Sequence, residues 1–417
     1  MRARRVFPSG SGLVASEPDS AGRARPACGG LSGRHSTNPI GGAGAEAVSL
    51  TPPVIMAVMG GRIAGGVVIV AAVAAGVVPV PAAWVEHYYA RAWFPPVQRA
   101  LTSASNAFPF ALFDLFLVAA LAIMLVALAS VLRAPRGRRL AVLARRAWQG
   151  AVAAALAYLA FLAAWGGNYR RQPVSALVDF DEARVTRDAV VALNGAAIAE
   201  VSRLRPRLPP GTSGWADAAK TAADLAPALD TGTRLLGLPG PVRAGRPKWT
   251  VLDLYFTRAG VSGMTDPFVL ETLIASNVLP FELPAVIAHE WGHLAGLARE
   301  SDASFFGVLV CLHGNDAARY SAWLDIFVRT LDARDREGRR AALERLPEAV
   351  RADLRAMAER SRRDQVRAVS VMAWRTYDRY LRSQRVESGV RNYGEVVRLL
   401  AGTRFENGWK PARPRGR

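Results

Sequence analysis

The sequence predicts a mainly α protein, with three N-terminal transmembrane helices followed by a mostly helical domain that carries a small sheet. Three observations predict this. Apolar residues concentrate in three long runs between residues 54 and 166. The remainder shows the spacing of amphipathic helices, with one strand-like run. An H-E-x-x-H stretch lies inside one of the helical patterns.

The chain has 417 residues, enough for one sizeable domain and a further segment. A formal charge of +19 raises the question of nucleic acid. Lysine, however, stands only at Lys220, Lys248 and Lys410, and every other basic residue is Arg. With so much Ala and Gly, this reads as a coding bias. In the C-terminal third, arginines alternate with acids, as in "RDREGRRAALERLPEAVRADLRAMAERSRRDQ". That is the pattern of solvated helices laced with i,i+4 pairs, so no nucleic-acid partner is expected. Cys28 and Cys311 form no C-x-x-C pair, so neither a structural disulfide nor a cysteine metal site is expected, and the cysteines do not report the compartment.

Residues 1–53 are rich in Gly, Ser, Pro and Arg without apolar periodicity and are expected to be disordered. Met56 and Met59 offer alternative starts, which N-terminal sequencing of the mature protein would settle.

The membrane domain is expected over residues 54–166. Its spans are Ile63–Trp84, Pro109–Leu132 and Trp148–Gly166, each near the ~20 residues a helix needs to cross the hydrocarbon. A cleaved signal peptide is the alternative for the first, since Pro79 and Pro81 precede "AAW". Between the second and third spans, "RAPRGRRLAVLARR" carries six Arg and no acid, which places that loop in the cytoplasm. Trp84, Tyr88, Tyr89 and Trp93 then suit the opposite interface, and residues 167–417 emerge outside the cytoplasm. Arg170 and Arg171, just past the third span, run against that bias. Asp114, near the outer end of the second span, reads as a capping or snorkelling carboxylate.

In residues 167–417, helical spacing appears over Val190–Leu204, Trp215–Leu229, Ala322–Leu331, Ala341–Met357 and Val366–Leu381. The strand candidate is "WTVLDLYF", Trp249–Phe256, which would offer an edge to an extended peptide.

The functional signal is "AVIAHEWGHLAGLARESDASFFG", Ala285–Gly307. Residues i and i+4 of a helix share a face about 6 Å apart along the axis, so His289 and His293 can direct two imidazoles at one cation. Glu290, about 100° around, falls beside the ion, where a general base for water belongs. This is metalloprotease spacing, in which zinc acidifies water and polarises the carbonyl under attack. Pro284 suits the first turn, and Gly296 marks the bend. A third ligand is needed, and Glu300, Asp302 and His313 are candidates. A straight helix would carry Glu300 roughly 16 Å from His289, so that ligand requires a turn near Gly296. Arg299 stands where a metzincin has its third histidine, which disfavours that class. An intramembrane protease is disfavoured too, because Leu283–Ala298 is short for a span. His313 reads as structural, and His35 and His87 stand without a constellation.

Four blocks in order resemble the bacterial membrane-anchored, zincin-like family called domain of unknown function 3810. They are "YARAWFPPVQRALTSASNAFPFALFDLF", "AWGGNYRRQPV", "HEWGHLAGLARESDASF" and "YDRYLRSQRVESGVRNYGEVVRLL". The resemblance implies a membrane-anchored, zincin-like domain with zinc-dependent peptidase activity on a peptide or protein substrate; the spans and the Arg-rich loop make the bilayer the other partner and put this domain on the extracytoplasmic side of the inner membrane. "RESDAS" is similar to the Arg-Glu-x-x-Ala motif of membrane gluzincins, which implies Glu300 as the third zinc ligand. Asp302 and Ser304 depart from the family's usual Glu and Asn, which keeps Asp302 as the alternative ligand. Glu271, in another family-like block, reads as a helix-surface or structural carboxylate. The expected activity is peptide hydrolysis with Glu290 as base. The alternative is a non-catalytic membrane sensor or scaffold stabilised by zinc. Neither substrate nor oligomeric state is legible.

Overall fold

A computed structural model describes residues 52–209, 218–331, 334–384 and 395–414. Apart from its last two positions, the leader expected over 1–53 lies outside the described residues, as do Cys28, His35 and Trp215. Met1–Met56 and Ala57–Arg417 form separate units, and the architecture below is that of the second.

Helix α1 (Pro52–Val77) ends before the expected limit of the first span at Trp84. Pro79 and Pro81 follow, and proline can neither donate to a helical ladder nor adopt free φ. The chain then turns through 109° into a second helical run, Ala82–Asn106. This run comprises a single turn, α2 (Ala82–Trp84), a π-helical stretch (Val85–Trp93) and α3 (Phe94–Asn106). Polar side chains line one face of α3: Gln98, Thr102 and Ser105 are all buried. They bond across to Arg243 O, Leu270 O and Glu271, so α3 is a strut against the later part of the chain.

Two helical runs are long and apolar enough to cross a membrane, Leu112–Arg133, which is α4, and Arg136–Ala164, which contains α5 (Arg139–Ala164). A third crossing exists if the bent pair Gly61–Val77 and Ala82–Asn106 counts as one. The side chains of Arg170 and Arg171 are engaged in the fold. Arg170 donates to Ala75 O near the end of α1, and Arg171 pairs with Glu86 at 3.1 Å.

The remainder is mainly helical. It includes α6 (Arg187–Leu204), α7 (Ala218–Leu236), α8 (Asp253–Ala259), α9 (Leu283–Leu294), α10 (Glu300–Leu312) and α11 (Asp316–Leu331). Then come α12 (Arg336–Glu344), α13 (Glu348–Asp364), α14 (Arg367–Ser383) and α15 (Glu395–Gly402). The helix expected over Ala341–Met357 is therefore two, because Pro347 interrupts it and starts α13.

Helices α9 and α10 form the centre, with α7 and α11 against them. Ile287, Trp291 and Leu294 of α9 are fully buried. Gly292 lies so close to α10 that a Cβ there would sit 2.9 Å from the Ala303 backbone, which sets the tight spacing of the two helices.

A three-stranded sheet runs in the order β1 (Pro247–Lys248), β3 (Thr272–Ile274), β2 (Gly263–Thr265). β1 is parallel to β3, with Pro247 opposite Thr272, and β2 is antiparallel to it, with Met264 opposite Leu273. The strand expected over Trp249–Phe256 is absent: a turn leads into α8 there. The Thr250 hydroxyl accepts from Leu252 N and donates to Asp114, and such local side-chain bonds compete with strand pairing. A C-terminal hairpin of β4 (Phe405–Glu406) and β5 (Lys410–Pro411) closes the chain.

Candidate metal centre

Pro284 in the first turn of α9 gives a helix start that needs no N–H from that residue. His289 and His293 then stand one turn apart with ring centroids 4.9 Å from each other. The chain leaves α9 through Gly296, whose φ of +83° favours glycine, and re-enters helix at Glu300. That reversal returns Glu300 to the two imidazoles. Its Oε2 lies 3.1 Å from His289 Nε2 and 3.7 Å from His293 Nε2. One donor atom from each of the three residues lies within 4.8 Å of the other two, close enough to hold one metal ion.

The donor chemistry fits a cation. His293 Nδ1 lies 2.8 Å from Leu297 O, which can only accept, so that nitrogen carries hydrogen. His289 Nδ1 lies 3.1 Å from Ser304 Oγ. Both rings are thereby oriented with Nε2 toward Glu300, the arrangement metal-ligating histidines adopt. Glu300 Oε2 is buried and makes no directional hydrogen bond among the described residues. Lone pairs thus converge on one point, and a proton or a metal must lie between them. In the metal-free chain the Glu300 carboxylate favours the protonated form of His293. Burial opposes its charged form, but the Glu300 carboxylate outweighs burial and lifts its pKa from 6.5 to about 9. Burial would raise the Glu300 pKa, yet the same pairing, led by His293, holds it well below 4.5.

Asp302 does not join the cluster. Two residues along a helix is about 200° of rotation, so Asp302 faces away from Glu300. It takes a backbone hydrogen bond from Val174 and lies 3.9 Å from Arg299, while burial lifts its pKa to about 6. His313 ends α10 and bonds its own helix at Leu309 O. His87 stacks edge-on against Tyr88, away from the centre.

Glu290 is buried beside the histidines, and burial raises its pKa above 4.5 despite their opposing effect. Thr265 Oγ1, on β2, lies 2.9 Å from Glu290 Oε2 and 2.9 Å from its carbonyl oxygen. Gly263 passes so near that a Cβ there would meet Glu290 Oε1 at 2.8 Å. His289, Glu290, Gly263, Val286, Ser304 and Trp374 line one groove, which gives the site access from solution.

Three supports were not legible from spacing. Tyr377 of α14 donates to Glu300 Oε1. Trp165, at the end of α5, donates through Nε1 to His293 O at 3.0 Å. Arg171 donates to Gly296 O at 3.1 Å, placing a cation at the C-terminal end of α9. Tyr377 and Trp165 lie in the blocks "YDRYLRSQ" and "AWGGNYRR", but nothing local in those blocks shows which helix they reach.

Fold and site together define a class: a mainly helical chain with two or three apolar helices of membrane-crossing length and a His/Glu cluster able to hold a metal. Within that class, the chain belongs to the family described as Protein of unknown function (DUF3810), whose model matches residues 89–401. No curated protein and no solved structure matches it.

Proposed function

We propose that the protein is a membrane-anchored, zinc-dependent metallopeptidase with a zincin-like catalytic domain. The observation that carries this reading is the convergence of His289, His293 and Glu300 with the Glu290 carboxylate alongside. Zinc bound there would supply Lewis acidity to a peptide carbonyl and to water. The chain's own residues supply the rest. Thr265 holds Glu290 Oε2, which leaves Oε1 to take the proton of the attacking water and pass it to the leaving amine. Burial raises the Glu290 pKa above 4.5, the direction that favours a carboxylate able to take and return a proton. β2 stands at the sheet edge beside the groove, so its peptide groups are placed to pair with an extended substrate.

In this reading α1, the first arm of the bent pair, makes three spans of the inner membrane with α4 and α5, while α3 stays with the extramembrane domain. The Arg-rich turn between α4 and α5 is cytoplasmic, and the catalytic domain is extracytoplasmic. Arg170 and Arg171, which run against the charge bias, are engaged within the fold as a bond to Ala75 O and a cap on Gly296 O. Labelling of cysteines introduced at Arg138 and at Arg340 by a membrane-impermeant reagent in whole cells tests the sides, with only the second position reacting.

The mechanism predicts that Glu290→Gln lowers peptide cleavage by about 10²–10⁴-fold while zinc stays bound. His293→Ala loses both. Zinc content with a peptidase assay on the three proteins checks this; full activity in Glu290→Gln would refute it. Bound zinc with no cleavage in wild type would instead favour the sensor or scaffold.

A further inference from the structure

We propose that Trp249–Tyr255 is a membrane-docking loop, a piece of the extramembrane domain whose apolar side chains rest in the interfacial layer of the bilayer. The inference rests on the reading of α4 and α5 as spans. The loop is pinned to the start of α4. Thr250 Oγ1 donates to Asp114 Oδ1 at 2.6 Å and Val251 N to Asp114 Oδ2 at 2.9 Å. Asp114 lies in the first turn of that helix, so the loop sits at the level where the apolar run begins.

From this anchor the large side chains turn outward. Trp249, Val251, Leu254 and Tyr255 are 50%, 53%, 68% and 44% exposed. Thr250 and Phe256 face inward and are buried. Phe108 and Phe110, exposed just before α4, extend the patch, and exposed Leu115 and Phe116 continue it along the helix. Large apolar side chains exposed on both sides of the Asp114 anchor mark an interaction site, and Trp and Tyr favour the bilayer interface.

A second contact fixes the same level. Phe268, in the turn between β2 and β3, stacks on Phe116 of α4 at 6.2 Å and lies 6.4 Å from Phe161 of α5. The extramembrane domain is thus held at this end of both helices. Charge is no obstacle to docking. The single ionisable carboxylate of the loop, Asp253, accepts from Ser276 N and Oγ at 2.7 and 2.6 Å. Exposed Arg246 flanks the loop at the height of anionic headgroups. The continuity with α4 selects lipid as the occupant over a peptide or a second copy.

The test places an environment-sensitive dye at Leu254→Cys in a Cys28→Ser background, Cys311 being buried. Ile123→Cys, midway along α4, and Arg340→Cys, on an exposed helix, are the controls. The full chain is reconstituted in phosphatidylethanolamine–phosphatidylglycerol vesicles carrying a lipid with a shallow nitroxide. The dye at 254 is expected to be quenched by the nitroxide and to be about threefold less accessible to aqueous iodide than the dye at 340. If 254 behaves like 340 while 123 is shielded from iodide, the docking is wrong and the spans stand. If 123 is as open to iodide as 340, the span reading falls and takes the docking with it. Protection of 254 from both quenchers would place protein on the patch and overturn the proposal.

Discussion

Lys248 and Glu271 are buried completely between the sheet and α3, while His293 and Glu300 are nearly as buried where α9 meets α10 and His289 keeps 20% of its side chain exposed. In the first pair all three ammonium hydrogens and both carboxylate oxygens have partners. Lys248 Nζ donates to Glu271 at 2.6 Å and to both oxygens of Ser105. Glu271 also accepts from Leu112 N and Phe113 N, so it caps the N-terminus of α4. In the second group the acceptors face one another, and Glu300 Oε2 is left without a hydrogen bond among the described residues. Buried charge that is fully partnered is structure. Buried donor atoms that converge without partnering one another can hold a metal ion.

The largest expected effect breaks the first pair. Glu271→Gln leaves the Lys248 ammonium uncompensated and should cost about 3–5 kcal/mol of stability. Adding zinc should raise wild type and variant alike and leave the difference between them unchanged, while combining Glu271→Gln with Lys248→Met should recover part of the loss. Thermal or denaturant unfolding in detergent measures all three. A loss below the level of an ordinary surface change would mean that the pair does not hold α4.

A smaller effect is expected at the second group. Tyr377→Phe removes the hydroxyl that orients Glu300 and should weaken zinc affinity by about tenfold, with little change in metal-free stability. Competition with a chromogenic chelator reads it. Unchanged affinity would make Tyr377 a bystander.

The gentlest probe is pH. In the metal-free chain, His293 has a raised pKa, so its contribution to stability is full below 6.5 and is lost as the pH rises through about 9. Glu300, with a lowered pKa, contributes above 4.5 and loses that contribution as the pH falls through its depressed value. Zinc competes for the same atoms as the His293 proton. Its affinity should therefore climb with pH and level off as the pH passes about 9, with proton release on binding below that value. Calorimetry in buffers of different ionisation enthalpy counts that proton, and a flat profile would place the metal elsewhere.

The parts of this arrangement that are local were legible in the sequence. The two histidines share a helical face by spacing alone, Pro284 starts the helix, and Gly296 forces the reversal. Spacing left Glu300 and Asp302 open, and the start of α10 at Glu300 separates them by pointing them in opposite directions. Long-range partners were not legible. Trp249–Phe256 has strand-like composition, but Asp114, more than a hundred residues earlier, holds it in a turn. Thr265, Trp165 and Tyr377 reach the site from three other elements, and no local pattern encodes which helix they meet. Pro347, by contrast, was readable as a break within Ala341–Met357 and was outweighed there by apolar periodicity.

The indole of Trp165 has one further consequence. The last apolar helix ends by gripping the carbonyl of His293, and Arg171 grips the next turn. A chain severed at residue 166 would leave behind that indole, along with α3 and its polar seam. The released portion would lack the indole that holds the His289–His293 helix, which ties the geometry of this centre to the end of α5.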